Sequence, residues 1–441
     1  MGWLNGVANM IYVRHLLLFL MGHQPSEVVV GAVLLGVAGV IATAGASTLV
    51  GRRREARTLT VEGLPLTLAF LLFCLADWAL LWVLPHLRLS FSSEIVPPLL
   101  ASVIVRLLVF WGLEGAALLA CWRGRRRGVA VQTRSAAVLF LVVNLGFSGV
   151  QVDAYVVEPM LVETTELSLA FAGLDPAAPP VRVVHISDPH IERSSFREAS
   201  VIRKVNALQP DIIVLTGDYL NLSRLSDATS AAHFRQFVAQ LKAPYGIYAV
   251  RGSVEPTPES MAWLVEGTDV VWLEQEAVTV DVRGQRVTLV GVACSHKLEL
   301  DAARLAKAMA DVDVGKMADV DVGKMADADV GKMADADVGS VPADAFTLLL
   351  YHSPDLIREA ARHHVDLYLG GHTHGGQLRL PFYGAIVTGS TYGRRYTSGL
   401  FEEDGTTMVI SRGMGFEGGG MPRARFLCRP EIVSIEIEGS E

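Results

Sequence analysis

Five short segments in the second half of the chain gather aspartate and histidine. They are HISDPH (His185 to His190), TGDYLN (Thr216 to Asn221), RGSVEP (Arg251 to Pro256), LLLYHSPD (Leu348 to Asp355) and GGHTHGGQ (Gly370 to Gln377). Carboxylates offer hard oxygen ligands and imidazoles borderline nitrogen ligands, the mixture that divalent transition metals take. Segments spaced this way can bring separate chain positions to one point, so the expected product is a two-metal site.

Four of the five follow a β-branched or leucine-rich run: VRVVHIS, DIIVLTG, FTLLLYH and VDLYLGG. Their polar residues therefore fall where a buried strand ends and a loop begins, the edge on which α/β sheets build sites. Strand-like VRVVHIS, helix-like SFREASVIRKVNALQP, strand DIIVLTG, helix SAAHFRQFVAQLKA and strand GIYAVRG alternate as βαβαβ. That order predicts a largely parallel sheet covered by helices. VTVDVRGQRVTLVGVA predicts a hairpin turning at Arg283 and Gly284.

The ordered set Asp-x-His, Gly-Asp, Gly-x-x-Glu, a lone His and Gly-His-Thr-His-Gly-Gly-Gln resembles the calcineurin-like metallophosphoesterases. The stretch RLPFYGAIVTGSTYGRRYTSGLF, with SRGMG and RPEI after it, is similar to their membrane-associated bacterial branch. The resemblance spans roughly residues 180 to 437, about three fifths of the chain, and five ordered motifs are far more specific than any one. It implies an α/β sandwich of two sheets flanked by helices, and hydrolysis of phosphoric esters.

Carried over by position, the resemblance implies that Asp188, His190, Asp218 and His374 hold one divalent ion. Asp218 would bridge to a second ion that also takes His352 and His372. Two dications about 3.5 to 4 Å apart repel unless an anion lies between them, which is the physical role of the bridge. A hydroxide activated by both ions would then attack phosphorus. Manganese, iron and zinc all suit such ligands. His372 and His374 alternate on an extended segment, and the glycine pairs beside them are expected to supply the backbone angles that turn both inward.

The third motif departs from the family. Where Gly-Asn-His followed by an acid is the pattern, the chain has Gly252, Ser253, Val254 and Glu255. A Ser253 hydroxyl is a shorter and weaker metal ligand than the Asn carbonyl, and occupancy of the second site is in question. Val254 can neither contact phosphate nor protonate a leaving group, a contribution of about 10²- to 10⁴-fold where a histidine supplies it. Glu255 is expected to work behind the ligands. His233, His363 and His364 are read as surface residues.

At 441 residues with 51% hydrophobic residues and a mean hydropathy of +0.36, the chain is too apolar for a soluble enzyme. The excess lies before residue 160. Uncharged or nearly uncharged runs at 28–50, 64–85, 95–122 and 137–157 predict about four membrane spans. Arginine clusters at 52–54 and 125–127 follow alternate spans, which puts both in the cytoplasm and the C-terminal part on the extracytoplasmic side. Residues 10–21 are read as an interfacial helix. Asp77, Arg106 and Glu114 sit within spans, and Asp77 and Arg106 come out at similar depth, so an ion pair between spans two and three is expected.

These readings predict an N-terminal all-α transmembrane bundle (1–157), a linker holding one alternating strand (158–180) and a C-terminal α/β sandwich (181–441). An octapeptide repeat at about 310–340, ADVDVGKM and variants, is read as a surface loop insertion. A net charge of -8 excludes nucleic acid as a partner. No Cys-x-x-Cys zinc spacing exists among the four cysteines, and a Cys294–Cys428 bridge has no support. The expected function is a membrane-anchored dimetal phosphoesterase acting on a phosphorylated small molecule or a lipid-linked substrate. The rival reading, carried by Ser253 and Val254, is a catalytically impaired sensor or scaffold.

Overall fold

In a strand, successive side chains point to opposite faces, and the buried strands here use both. A computed structural model describes residues 31, 53–91, 94–126, 134–313, 346–419 and 422–440. The chain divides near Val157 into two units, the second running Val157–Gly419 and Arg423–Glu441.

The second unit opens on β1 (Glu163–Phe171), the strand expected within 158–180, and continues β2 (Val181–Ile186), α4 (Phe196–Leu208), β3 (Ile212–Leu215), α5 (Ala228–Val238) and β4 (Ile247–Val250). After α6 (Pro258–Val265) come β5 (Val270–Leu273), β6 (Gln275–Val282), β7 (Gln285–Val292) and α7 (Leu298–Asp313). The chain resumes with β8 (Thr347–Tyr351), α8 (Ile357–Arg362), β9 (Leu367–Gly370), β10 (Arg379–Leu380), β11 (Gly384–Ala385), β12 (Gly399–Glu403), β13 (Thr406–Ile410) and β14 (Glu431–Gly439).

Two six-stranded sheets result, ordered β1-β14-β2-β3-β4-β5 and β12-β13-β9-β8-β7-β6. Both are mixed: β14 runs antiparallel to β2, β6 to β7 and β12 to β13, while the remaining pairs are parallel. Val183, Ile212, Val214, Leu348, Leu350 and Leu369 point into one shared core between the sheets. Their neighbours Val184, Ile213 and Leu215 pack outward under α4 and α5, and Leu349 and Tyr351 pack under α7 and α8. The product is an α/β sandwich of four layers. Truncating one of these fully buried leucines to alanine costs about 2–5 kcal/mol. The β6–β7 hairpin turns at Arg283 and Gly284, both in the left-handed region as a two-residue primed turn requires.

In the first unit, α1 (Arg53–Val83), α2 (Val96–Arg126) and α3 (Arg134–Val152) pack around Phe70, Phe110 and Phe140, with ring centroids 5.8 and 5.9 Å apart along that series. Pro97 and Pro98 fall in the first turn of α2, where an amide has no helical partner to lose. Leu72, Leu108, Val138 and Leu145 lie exposed on the outside, as lipid-facing residues do. Windows Leu66–Val83, Val96–Leu113 and Ala137–Met160 are long and apolar enough to cross a bilayer. Three candidate spans are thus present among the described residues, against an expectation of about four. The run at 28–50, apart from Gly31, lies outside them, as do residues 10–21 and 314–345 with most of the octapeptide repeat, and the side chain of Glu114.

Arg106 is fully buried and donates to Asp77 Oδ2 and Oδ1 at 2.7 and 2.6 Å. Nη1 donates to Asn144 Oδ1 and to the Asn144 carbonyl at 2.9 and 3.2 Å, and Nη2 also faces Ser148 Oγ and Gln151 Oε1 at 2.8 and 2.9 Å. The expected pair therefore exists and is extended by three polar side chains of α3. A guanidinium with five bonded donors is satisfied where an unpaired one would be prohibitively costly.

Candidate metal centre

The C-terminal ends of β2, β3, β8 and β9 lie side by side in the two sheets, and each releases its motif into the loop that follows. Asp188, His190 and His374 form one group, and Asp218, His352 and His372 form another. Within each, the candidate ligand atoms lie within 4.8 Å of one another. All six sequence-identified residues are thus brought together. Asp218 Oδ2 is 3.2 Å from His352 Nε2 and 3.8 Å from His190 Nε2, so its carboxylate lies between the groups.

Five of the six hold left-handed backbone: Asp188, His190, Asp218, His372 and His374, with φ between 43° and 68°. L-residues rarely adopt this region, and clusters of such outliers mark functional sites. The glycine-pair expectation needs correction here. Gly375 and Gly376 are left-handed, but the two histidines take up the unusual angles themselves, and Gly370 and Gly371 do not. Glycine matters instead where loops touch. A Cβ on Gly252 would strike the Asp218 amide and carboxylate, so the β3 and β4 loops can meet only without side chains.

Three of the six, His352, Asp188 and Asp218, are oriented by hydrogen bonds from behind. His352 Nδ1 donates to the Thr216 carbonyl at 2.7 Å, which turns its Nε2 into the site. His185 Nε2, Thr216 Oγ1 and Ser187 Oγ are linked at 2.8 Å each, and the Ser187 hydroxyl donates to Asp188 Oδ2 at 2.5 Å. Glu255 lies behind the site, accepting the amides of Asp218, Tyr219 and Gly252 at 3.1, 2.8 and 3.0 Å. Ser253 points its hydroxyl at both Asp218 oxygens at 3.1 Å, and the amides of Ser253 and Val254 add bonds of 2.7 and 3.0 Å. Val254 is buried and lines a cavity with Leu220, Leu225 and Trp263.

The electrostatics fit a cation. His190 Nε2 faces His374 Nε2 at 3.1 Å, and His352 Nε2 faces His372 Nδ1 at 3.1 Å. Burial pushes His372 down to about 3 and His374 well below its usual value, so these rings are neutral and carry ligand lone pairs. Burial raises the Asp188 carboxyl, with the adjacent Asp218 charge acting in the same direction. For Asp218 burial also acts upward, but His352 overrides it and holds that carboxyl well below the usual range. Two carboxylates and four imidazoles converging nitrogen to nitrogen are what divalent ions with N and O preference require.

Two further residues belong to the neighbourhood, and sequence reasoning missed both. Glu417 Oε2 lies 3.3 Å from His190 Nδ1 and accepts from Asn221 Nδ2 and the Leu222 amide at 2.9 and 2.8 Å. Burial opposes its ionisation, yet His190 and the Leu222 and Gly419 amides hold its carboxyl below the ordinary range. TMVISRGMGFE repeats the pattern of an apolar run followed by a glycine-rich polar loop, and that signal could have found it. His296, exposed and left-handed after β7, sets its ring 4.7 Å from that of His372. Of the histidines read as surface residues only His364 is exposed; His233, bonded to Ser194, and His363 are half-buried, and none of the three belongs to either group. Cys294 and Cys428 are both free and buried.

The family model described as calcineurin-like phosphoesterase matches residues 181–376, from the first residue of β2 through the turn that carries His374. The chain is 27% identical over 288 residues to the uncharacterized metallophosphoesterase YkuE of Bacillus subtilis, covering 64% of this chain and 88% of that protein. It is 24% identical over 318 residues to the UDP-2,3-diacylglucosamine pyrophosphatase LpxG of Chlamydia trachomatis, covering 62% and 89%. A transmembrane protein with metallophosphoesterase domain of Bos taurus is 27% identical over 346 residues, covering 76% of this chain and 70% of its own.

Proposed function

Residues 181–376 being a calcineurin-like phosphoesterase domain, and the protein a metal-dependent phosphoric ester hydrolase, we propose that it is a membrane-anchored dimetal enzyme acting on a lipid-linked pyrophosphate or diester. The observation that carries this reading is the convergence of Asp188, His190 and His374 beside Asp218, His352 and His372. The pyrophosphatase activity by which the chlamydial relative is named and the three apolar helices support the lipid-linked class.

In this reading Asp188, His190 and His374 hold one ion, His352 and His372 the other, and Asp218 lies between them. When bound, the two ions supply Lewis-acid polarisation of phosphoryl oxygen and water. The protein's own part is preorganisation. Thr216 aims His352, Ser187 aims Asp188, and Ser253 with two amides fixes the Asp218 carboxylate on the line between the groups. With valine at 254, nothing in the third motif protonates a departing oxygen, which favours substrates whose leaving group departs as a stable anion. The arginine clusters support a membrane region through about residue 157 and a catalytic domain from 181 onward on the extracytoplasmic side.

A panel of phosphomonoester, diester and lipid pyrophosphate, assayed before and after chelation and reloading, tests the reading. Turnover should be chelator-sensitive and greatest on the diester or pyrophosphate. Val254 in its cavity is the observation on the side of a sensor or scaffold, and full metal loading without turnover on any of the three classes would select that alternative.

A further inference from the structure

Beyond the catalytic centre, the most unusual surface of the second unit is the small hairpin β10–β11. Leu378, Leu380, Phe382, Tyr383, Ile386 and Val387 are all exposed, with Phe382 wholly so. A soluble face rarely carries so contiguous a set of large apolar side chains. Phe382 also sits at φ 64°, a left-handed angle that no glycine relieves. The turn thus keeps its largest apolar side chain in solvent at a conformational cost.

Along this segment the charge is one-sided, although Asp355 accepts from Ser390 and Thr391 on its return. From Gln377 to Phe401 the chain has Arg379, Arg394 and Arg395 and no Asp or Glu, within a protein of net charge -8. Arg395 pairs with Glu403 at 2.7 Å. Arg379 and Arg394 instead donate to the carbonyls of Gly375 and Tyr383 at 3.1 and 2.9 Å, and neither has a carboxylate partner among the described residues. Apolar tip and cationic collar together match the boundary of a bilayer bearing anionic head groups.

Both ends of the hairpin are fixed to the candidate metal ligands. The Gln377 amide donates to the His374 carbonyl at 2.9 Å, and the Arg379 amide to Phe426 at 3.0 Å. On the return, a Cβ at Gly389 would stand 2.9 Å from His372 Nε2, so the backbone passes directly under that ring.

We propose that this hairpin is an interfacial anchor, with Phe382 and its apolar neighbours entering the acyl boundary and Arg379 and Arg394 meeting anionic head groups. It rests on the membrane-anchored reading above and adds the means by which the site meets a lipid-borne phosphate. A chain with membrane-crossing helices always has a bilayer at hand, so the anchor needs only modest affinity.

The test uses the full chain in phosphatidylcholine vesicles with and without phosphatidylglycerol. Phe382→Cys carries an environment-sensitive fluorophore, Lys242→Cys at an exposed site is the comparison, and the unsubstituted chain sets the labelling background. Label at 382 should be quenched several-fold more by acyl-chain nitroxide than by aqueous iodide, with label at 242 showing the reverse. Adding Arg379→Gln and Arg394→Gln should reduce quenching in anionic vesicles to the level in neutral ones. A water-like label at 382 would overturn the proposal, as would self-quenching that rises with protein density, which would assign the surface to a second copy. Penetration is read without turnover. Insertion with no lipid hydrolysis would therefore leave the anchor standing and sink only the substrate reading.

Discussion

Glu417 and His185 show how far the site reaches beyond its six inner residues. Glu417 Oε2 lies 3.3 Å from His190 Nδ1 without making a hydrogen bond to it, and is itself tied to Asn221 and Leu222. Glu417→Gln removes the charge beside that ring, and loss of an outer partner typically costs about 10–100-fold in metal affinity or activity. Titrating chelator against bound metal measures this, and unchanged retention would show that His190 is positioned without it. His185 is buried with its titration pushed down to about 3, against an ordinary value of 6.5. Below about 6.5 the unfolded chain gains a proton that the folded one refuses, so stability falls as pH drops from there toward 3. One such proton is worth about 1.4 kcal/mol per pH unit. His185→Gln keeps a donor for Thr216 and should flatten the fall in thermal midpoint between about pH 6 and 4 by that slope. An identical slope would mean that His185 titrates in the folded protein.

At the scale of elements, strand-end placement was legible because the apolar runs before His185, Asp218, His352 and His372 are short and bounded by glycine or polar residues. The βαβαβ order and the Arg283–Gly284 hairpin were legible for the same local reasons. What local pattern could not show was β14 returning antiparallel beside β2, or β1 joining parallel to β14, because both pairings join residues more than 240 positions apart. Backbone angles at His372 and His374 were misattributed because the strain is imposed by convergence on the site rather than by the local sequence. The Asp77–Arg106 contact was legible from depth alone, yet its partners Asn144, Ser148 and Gln151 on α3 needed the packing. Arg106→Leu would leave Asp77 buried without its partner, which costs about 3–5 kcal/mol, whereas Asp77→Leu with Arg106→Met should recover most of the loss. Thermal retention in detergent compares the two, and equal losses would show that the pair is not the coupled unit.

Taken as one molecule, the chain joins apolar helices to a hydrolase domain, and orientation decides what substrates it can reach. With Arg52 to Arg54 and Arg125 to Arg127 retained in the cytoplasm, a reporter fused after Glu441 should be active only on the extracytoplasmic side. Signal from a cytoplasmic reporter at the same position would reverse the orientation. The most direct test counts metal and turnover together in the full chain and in Asp218→Asn, which removes the carboxylate lying between the two groups while changing little volume. The parent is expected to carry metal and hydrolyse a diester or pyrophosphate, and the variant to lose second-ion binding and at least about 100-fold in rate, beyond what outer partners cost. Undiminished turnover in the variant, or in the chelated parent, would contradict the dimetal reading.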